Sequence, residues 1–405
     1  VHFNGASRIF GVSIKDRGAI SMAGHAGKAF WFSKKNGQFV TSSFYYDKYP
    51  EWVIKWNAEK HAMKYAGKSW ELMHPKEKYV FGEADDRDYE TDVAGFGKTF
   101  PHAYGKGDDK YFTTKLTLSP AGDELTLAFT KALIANEQIG KDDIPDYLSV
   151  SFSSTDYIGH VFGASSLESE DNQVHLDKTL QELFAYVDET VGLKNTLVVL
   201  SADHGQPEVP GFLHLHGREH ASFFDVKGLD KDPLFTKLKE RYGIGQDLIK
   251  DFFQPYIYLD KKLIQSKGLD QAEIEKTIAD ELMKIPGIAL ALSSSELQDN
   301  GVEDTPLTRS ILNNFHHKRS GDIYIVFSPD VFINDFDGLV VSSTHGSPWR
   351  YDTHVPVIFA GNGLKASQIS DSITPYDIAP TLSAVVGAKY PSGAVGKPLG
   401  AVVQE

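Results

Sequence analysis

Short apolar runs alternate with amphipathic stretches along most of the chain. The runs RIFGVSI (8–14), DYLSVSFS (146–153) and TLVVLS (196–201) predict strands, because each is short, apolar and rich in β-branched or aromatic side chains. Between the last two runs, residues 172–192 place Leu and Phe side chains on one helical face, which predicts a helix. A further predicted strand, VPVIFAG (355–361), precedes another helical pattern. This order predicts an α/β fold: a doubly wound, mostly parallel sheet with helices on both faces.

Two stretches do not follow this alternation, and we interpret both as inserted subdomains. Residues 48–115 are rich in aromatic, glycine and charged residues with weak periodicity, so we expect an irregular insertion. Residues 207–340 contain their own helical pattern, DQAEIEKTIADELMKI (270–285), and their own strand, DIYIVFSP (322–329). The prediction is therefore one domain over residues 1–405 that carries two insertions.

Composition and charge limit the classes of function. A formal net charge of −14 argues against binding to nucleic acid polymers or to anionic membrane surfaces in general. No window approaches the roughly 18 consecutive apolar residues that a membrane-spanning helix requires. The sequence contains no cysteine, which excludes disulfides, thiolate metal sites and cysteine nucleophiles. Any metal ion must therefore be held by His, Asp or Glu.

Candidate metal ligands follow the predicted strands. The stretch VVLSADHGQP carries Asp203 and His204 at the end of an apolar strand, and SSTDYIGH places Asp156 and His160 in a DxxxH spacing just after another. A histidine-glycine turn further along supplies His345. Ligands of doubly wound sheets bind beyond the carboxyl ends of the strands, so these five side chains could meet at one edge. Zn²⁺ prefers such imidazole and carboxylate donors.

Each of these motifs is weak alone, because Asp and His are common in turns and at helix starts. Their occurrence together, each beside a predicted strand, indicates a metal site. A further cluster, HLHGREH, contains His214, His216 and His220 but has no nearby carboxylate motif on a strand. We interpret it as a loop with hydrogen-bonded or solvated histidines, whose role the sequence leaves open.

The segments STDYIGHVFG, SADHG and THGSPWRYDTHVPVIFAG resemble the metal-ligand segments of the alkaline phosphatase superfamily. The resemblance is to the branch shared by type I phosphodiesterase/nucleotide pyrophosphatases and phosphate-irrepressible alkaline phosphatases. It implies an alkaline phosphatase-like catalytic domain with two Zn²⁺ ions. By this resemblance Asp156, His160 and His345 would hold one ion, while Asp203 and His204 would help to hold the other.

The segment SIKDRGAI (13–20) is similar to the Lys-x-Arg element of the phosphate-irrepressible alkaline phosphatases, in which both side chains contact the phosphoryl oxygens of a monoester. Lys15 and Arg17 match this element. Two residues apart after a strand, the two side chains can point the same way, and Arg adds fork-like donors to the point charge of Lys. Because a monoester dianion carries more charge than a diester, this pair favours monoesters.

The resemblance implies zinc-dependent hydrolysis of phosphate monoesters through a phosphoenzyme, with release of inorganic phosphate. We expect the Thr or Ser nucleophile and a further Asp ligand in an upstream segment absent from this chain, since Ser7 has no comparable context. Such a segment would also carry a secretion signal, which implies a periplasmic or extracellular location. Small phosphate esters are the expected partners. Two alternatives remain open: a phosphodiesterase or nucleotide pyrophosphatase, and a noncatalytic zinc-binding fragment.

Overall fold

The computed structural model describes residue 3, residues 5–336 and residues 339–403. The chain forms two compact units, one comprising Val1–Asp203 and Val355–Glu405 and the other His204–His354. The second unit is therefore inserted into the chain of the first. The interpretation of the whole chain as one catalytic domain with two insertions stays a prediction.

A four-stranded sheet lies at the centre of the first unit. Its strand order is Gln38–Val40, Lys28–Ser33, Ile9–Ser13 and Tyr147–Ser151. Ile9–Ser13 pairs in parallel with both of its neighbours, whereas Gln38–Val40 is the antiparallel edge strand. Parallel neighbours need crossover connections, which helices provide here. This arrangement, together with the helices around it, confirms the predicted α/β fold class.

Helices cover both faces of this sheet. Successive side chains of a strand point to opposite faces, so the central strand shows which helix lies on which side. Gly11 faces the helix Asp16–Ala23 so closely that a Cβ atom at this position would lie 2.3 Å from a helix carbonyl oxygen. Val12 points the other way, into the main core that it shares with Phe129 of the helix Pro120–Asn136.

Two more predicted elements of the first unit are present with shifted bounds. The strand Leu197–Ser201 pairs antiparallel with Val357–Gly361. The helix predicted from residue 172 is Leu167–Thr190 and begins five residues earlier, because the Ser166 hydroxyl accepts a hydrogen bond from the Ser169 amide at 3.0 Å and caps the first turn. The other elements after residue 150 are the helices Ser154–Phe162 and Ile378–Val385 and the 3₁₀ turns Leu193–Asn195 and Pro375–Asp377.

The stretch predicted as an irregular insertion contains only short elements. Its aromatic side chains supply part of the main core, where Trp70 and Phe96 are almost fully buried. The hydrophobic periodicity of residues 48–115 is therefore weak because the buried side chains come from short segments, and not because the stretch is exposed. The elements are the helices Glu51–Ala58 and Phe112–Thr117, the 3₁₀ turns His61–Tyr65 and Lys76–Lys78, and the strands Ser69–Trp70 and His102–Ala103.

The second unit has its own antiparallel sheet, in the order Ile288–Ser293, Ile323–Phe327, Tyr256–Leu259 and Ile249–Phe253. The helix Gln271–Leu282 packs on this sheet through an apolar face, as its periodicity predicts. The remaining helices are Pro210–Leu215, Pro233–Arg241, Lys261–Ser266, Ser294–Gln298, Pro306–Asn314 and Arg350–Thr353, with the 3₁₀ turn Leu229–Lys231 and the short strands Ser222–Phe223, Val331–Phe332, Asp335–Phe336 and Leu339–Val340.

Within the described ranges, no helix combines the length and the apolar character that a membrane crossing requires.

Candidate metal centre

One short helix of the first unit carries two of the predicted ligands. Ser154–Phe162 begins three residues after the strand Tyr147–Ser151 ends. Asp156 and His160 lie one helical turn apart on it and therefore share a face. The Asp156 Oδ1 and His160 Nε2 atoms are 3.5 Å apart, and His160 is buried. A carboxylate oxygen and an imidazole nitrogen at this spacing are donors that suit Zn²⁺.

A buried carboxyl group fixes the start of this helix. Asp123 Oδ1, from the helix Pro120–Asn136, accepts a hydrogen bond from the Ser154 amide at 3.1 Å. Burial raises the pKa of Asp123 to about 7, against the opposing effect of the hydrogen bonds from Ser154. No sequence motif singles out Asp123, because an acid in the first turn of a helix is ordinarily explained by that helix's own dipole.

Lys15 lies beside the predicted ligands. Its ammonium group contacts the Asp156 carboxylate, and the side chain is largely buried. Arg17 lies in the exposed first turn of the helix Asp16–Ala23. The structure thus brings Lys15 into contact with a predicted metal ligand, and places Arg17 two residues further along the same loop-to-helix connection.

Three serine hydroxyls connect the ends of the two parallel strands that lead to these side chains. Ser153 Oγ lies 3.1 Å from Ser13 Oγ and 2.9 Å from Ser151 Oγ. The Lys15 amide donates to Ser13 Oγ at 3.0 Å. The lysine loop and the start of the ligand helix therefore share one hydrogen-bond network, which limits their relative movement.

Asp203 and His204 follow the strand Leu197–Ser201, as predicted, and stand at the point where the chain passes from one unit to the other. Asp203 is exposed. In the second unit, the rings of His204 and His345 are stacked, with centroids 3.4 Å apart and an interplanar angle of 16°. His204 Nδ1 lies 2.8 Å from the Gly205 carbonyl oxygen. The fold thus brings together two imidazoles from distant positions in the sequence, and imidazole nitrogen is a donor type that Zn²⁺ prefers.

Asp352 holds the turns that carry these two histidines. Its carboxylate accepts hydrogen bonds from the Gly346 amide at 3.0 Å and from the Ser347 amide at 2.7 Å. Its carbonyl oxygen accepts a hydrogen bond from the Gly205 amide at 2.7 Å. Burial raises the pKa of Asp352. No sequence motif indicated this role of Asp352, although the residue lies in the segment THGSPWRYDTH that carried the resemblance.

The glycine of the DHG motif has a steric explanation. A Cβ atom on Gly205 would lie 2.1 Å from the Tyr351 carbonyl oxygen, a distance that side chains do not tolerate. The close approach of the two backbones allows the hydrogen bond between Gly205 and Asp352. The motif therefore needs glycine for backbone packing rather than for an unusual backbone conformation.

The cluster HLHGREH forms hydrogen bonds within the second unit. His214 Nε2 lies 2.7 Å from the Ala221 carbonyl oxygen, and His216 Nδ1 lies 2.9 Å from the Phe212 carbonyl oxygen. His214 belongs to the helix Pro210–Leu215 rather than to a loop. The third histidine does have a carboxylate neighbour: His220 Nε2 lies 3.2 Å from Asp330 Oδ2, which also accepts from Arg218.

Comparison with known proteins identifies a matching family and several similar proteins. The model of the family described as type I phosphodiesterase / nucleotide pyrophosphatase matches residues 19–348. Alkaline phosphatase PafA of Elizabethkingia meningoseptica is 35% identical over 404 residues, which cover 99% of this chain and 72% of that protein. A protein of Myroides odoratus named calcium-transporting ATPase is 34% identical over 406 residues, covering 99% of this chain and 73% of that protein. The solved structure of wild-type PafA has a TM-score of 0.88 and 33% identity, covering 99% of this chain and 76% of that one.

Proposed function

The chain belongs to the type I phosphodiesterase / nucleotide pyrophosphatase family, and on that premise we propose that it is a phosphoric monoester hydrolase with a zinc centre. Relatives named alkaline phosphatase support the monoesterase assignment: PafA, and PhoV of Synechococcus elongatus, which is 35% identical over 400 residues. The observation that carries the proposal is the contact between the Lys15 ammonium and the Asp156 carboxylate, which are the proposed phosphate-binding cation and a proposed metal ligand.

The proposed ligands of one zinc ion are Asp156, His160 and His345, and those of the second include Asp203 and His204. The shared face of Asp156 and His160 supports the first assignment, and the histidine donors of the second unit are compatible with both. Bound zinc would supply Lewis acidity toward the phosphoryl oxygens. A Thr or Ser nucleophile, a phosphoenzyme and a periplasmic or extracellular location belong to the same proposal and rest on the family resemblance.

Lys15 and Arg17 bind and orient the phosphoryl group in this proposal. Lys15 offers a point charge and Arg17 a planar fork of donors, a combination suited to a group with several charged oxygens. The dianion of a monoester gains more from these two cations than the monoanion of a diester does. Lys15 and Arg17 therefore favour monoesters over diesters, which separates this proposal from the phosphodiesterase alternative.

The test is metal content together with hydrolysis of an aryl phosphate monoester and of its methyl diester, on protein expressed from the full-length gene. We expect two zinc ions per molecule and a preference for the monoester. Lys15→Ala and Arg17→Ala should each lower kcat/KM for the monoester by about 10- to 100-fold and affect the diester much less. Lys194→Ala, at an exposed lysine in a turn, is the matched control.

The alternatives predict other results. Diester preference that is unaffected by Lys15→Ala and Arg17→Ala would assign the protein to the phosphodiesterases. Bound zinc without turnover of either ester would leave a noncatalytic zinc-binding protein.

A further inference from the structure

Two lysine ammonium groups lie against the ring of Tyr157. Tyr157 directly follows Asp156 in the ligand helix. The Lys15 Nζ atom lies 4.6 Å from the centre of the ring, and the Lys34 Nζ atom lies 4.9 Å from it. Lys34 also donates a hydrogen bond to the Tyr157 hydroxyl at 3.4 Å. Lys34 was not among the residues that the sequence pattern singled out.

The topology of the sheet brings these residues together. Lys15 lies two residues beyond the strand Ile9–Ser13, and Lys34 directly follows the neighbouring strand Lys28–Ser33. The two strands are parallel, and their register pairs Ser13 with Trp31, so both lysines leave the sheet at its carboxyl edge. In sheets of this class, ligands bind at that edge.

The tyrosine ring reduces the cost of placing two ammonium groups near each other. Like charges at close range repel, but the face of an aromatic ring attracts a cation. The ring is itself held in place, because Tyr157 is half-buried and packs against the main core. It therefore offers both lysines a fixed contact.

Lys15 has a second contact that metal binding would weaken. Its ammonium contacts the Asp156 carboxylate, which is one of the proposed zinc ligands. A carboxylate that binds a metal has less negative charge to offer a neighbouring cation. The Tyr157 ring is the contact that then keeps the Lys15 ammonium at the carboxyl edge.

We propose that Tyr157 is a positioning residue that holds Lys15 and Lys34 toward the phosphoryl group, and that Lys34 is a third cation favouring dianionic monoesters. This inference rests on the proposed function, since it concerns the same site. It goes further by assigning two residues that neither the sequence motifs nor the metal ligands indicate.

The experiment compares ring and charge variants in the zinc-loaded protein expressed from the full-length gene. Tyr157→Leu removes the ring face, whereas Tyr157→Phe keeps it and removes only the hydroxyl. Lys34→Met removes the charge of an exposed side chain, and Lys34→Arg keeps it. The matched control is Tyr186→Leu. The Tyr186 ring also has a lysine over its face, with Lys131 Nζ 5.5 Å from the ring centre, but Lys131 lies on the helix Pro120–Asn136 and is not one of the proposed phosphate-binding residues.

The readouts are the ratio of monoester to diester kcat/KM, zinc content, and the dissociation constant of inorganic phosphate measured by calorimetry. We expect Tyr157→Leu and Lys34→Met each to lower the ratio and weaken phosphate binding by about five- to tenfold at unchanged zinc content. The conservative variants Tyr157→Phe and Lys34→Arg should keep most of the monoester preference and most of the affinity for phosphate. Added salt should reduce the effect of Lys34→Met, because its charge is exposed to solvent.

Provided that the wild-type protein hydrolyses monoesters, three results would overturn the inference. The first is an unchanged ester ratio and phosphate affinity in Lys34→Met, and the second is an equal loss of both quantities in Tyr157→Leu and Tyr186→Leu. The third is a loss of zinc in Tyr157→Leu together with equal losses of kcat/KM for the two esters. The last result would show that Tyr157 supports Asp156 alone. A wild-type protein without monoesterase activity would instead refute the proposed function, and it is recognised before any variant is made.

Discussion

Among single residues, Asp123 combines deep burial with a direct hydrogen bond to the ligand helix. Its side chain is 2% exposed and accepts from the Ser154 amide, so it fixes the first turn of the helix that carries Asp156 and His160. Burial keeps the carboxyl group protonated to unusually high pH, with a pKa of about 7. A neutral carboxyl can still accept the Ser154 hydrogen bond, which explains how an acid is tolerated there.

This burial predicts a specific dependence of stability on pH. An unfolded Asp ionises near pH 4, whereas Asp123 in the folded protein ionises near 7. Between these values the folded state binds the additional proton, so the contribution of Asp123 to the free energy of unfolding falls as pH rises from about 4 to about 7 and then levels off. Asp123→Asn keeps an acceptor oxygen and cannot ionise, so it should remove this decline.

Urea unfolding at several pH values measures the effect. Between pH 4.5 and pH 7.5, the free energy of unfolding of Asp123→Asn should rise relative to that of the wild type by on the order of 1–3 kcal/mol. The control Asp143→Asn changes an exposed aspartate and should follow the wild-type curve. Parallel curves for Asp123→Asn and wild type would refute the protonated state of Asp123.

Among the elements, the helix Arg350–Thr353 is joined by a backbone hydrogen bond to Gly205 of the same unit. The Gly205 amide donates to the Asp352 carbonyl oxygen, and the Asp352 carboxylate holds the turn that follows His345. His204 and His345 thus both depend on the placement of one short helix.

Gly205→Ala should disturb this placement. The added methyl would meet the Tyr351 carbonyl oxygen at 2.1 Å, and backbone cannot move aside as a flexible side chain can. We expect a loss of about 1–3 kcal/mol in the free energy of unfolding and a lower zinc content per molecule. Gly245→Ala is the matched control, because Gly245 lies in the same unit and a methyl group there meets no atom within 4 Å. Equal zinc content and stability in the two variants would contradict this role of Gly205.

The elements that the sequence predicted are those defined by local pattern. The strand from Arg8 and the helix through Leu183 both appear, because periodicity and capping act within a few residues. The antiparallel pairing of Leu197–Ser201 with Val357–Gly361 could not be predicted, since strands so far apart carry no local signal of their partner. The relative orientation of two such strands depends on tertiary packing.

At the scale of the whole molecule, the same limit explains which of the proposed site residues have a signal in the sequence. Asp156 and His160 were found because their spacing is itself a motif. Lys34 and Asp123 have no such local signal, because strand register brings Lys34 to Tyr157 and helix packing brings Asp123 to Ser154. Spacing alone also overpredicts: Asp171 and His175 repeat the DxxxH pattern with 3.3 Å between His175 Nε2 and Asp171 Oδ2.

That second DxxxH pair shows why neighbours decide the chemistry of a motif. The Asp171 carboxylate accepts hydrogen bonds from the Trp70 indole, the Tyr79 hydroxyl and the Met73 amide. These donors occupy its oxygens and lower its pKa against the effect of burial, which makes it a structural anchor of the long helix. Asp156 instead contacts the Lys15 ammonium, a cation with which a bound metal would compete for the carboxylate.

This difference predicts how the molecule responds to metal removal. A ligand that binds only the folded state stabilises it by about 2.7 kcal/mol when its concentration is 100 times its dissociation constant. Chelation of zinc should therefore lower the midpoint of thermal unfolding by several degrees, and added zinc should restore it. In Asp156→Ala and His160→Ala the midpoint should respond weakly to chelation or to added zinc. The variant His175→Ala alters the other DxxxH pair. After its own loss of stability is subtracted, its midpoint should respond to chelation and zinc as that of the wild type does. A weak response in His175→Ala together with a full response in Asp156→Ala would place the metal at the other pair and remove the basis of the proposed centre.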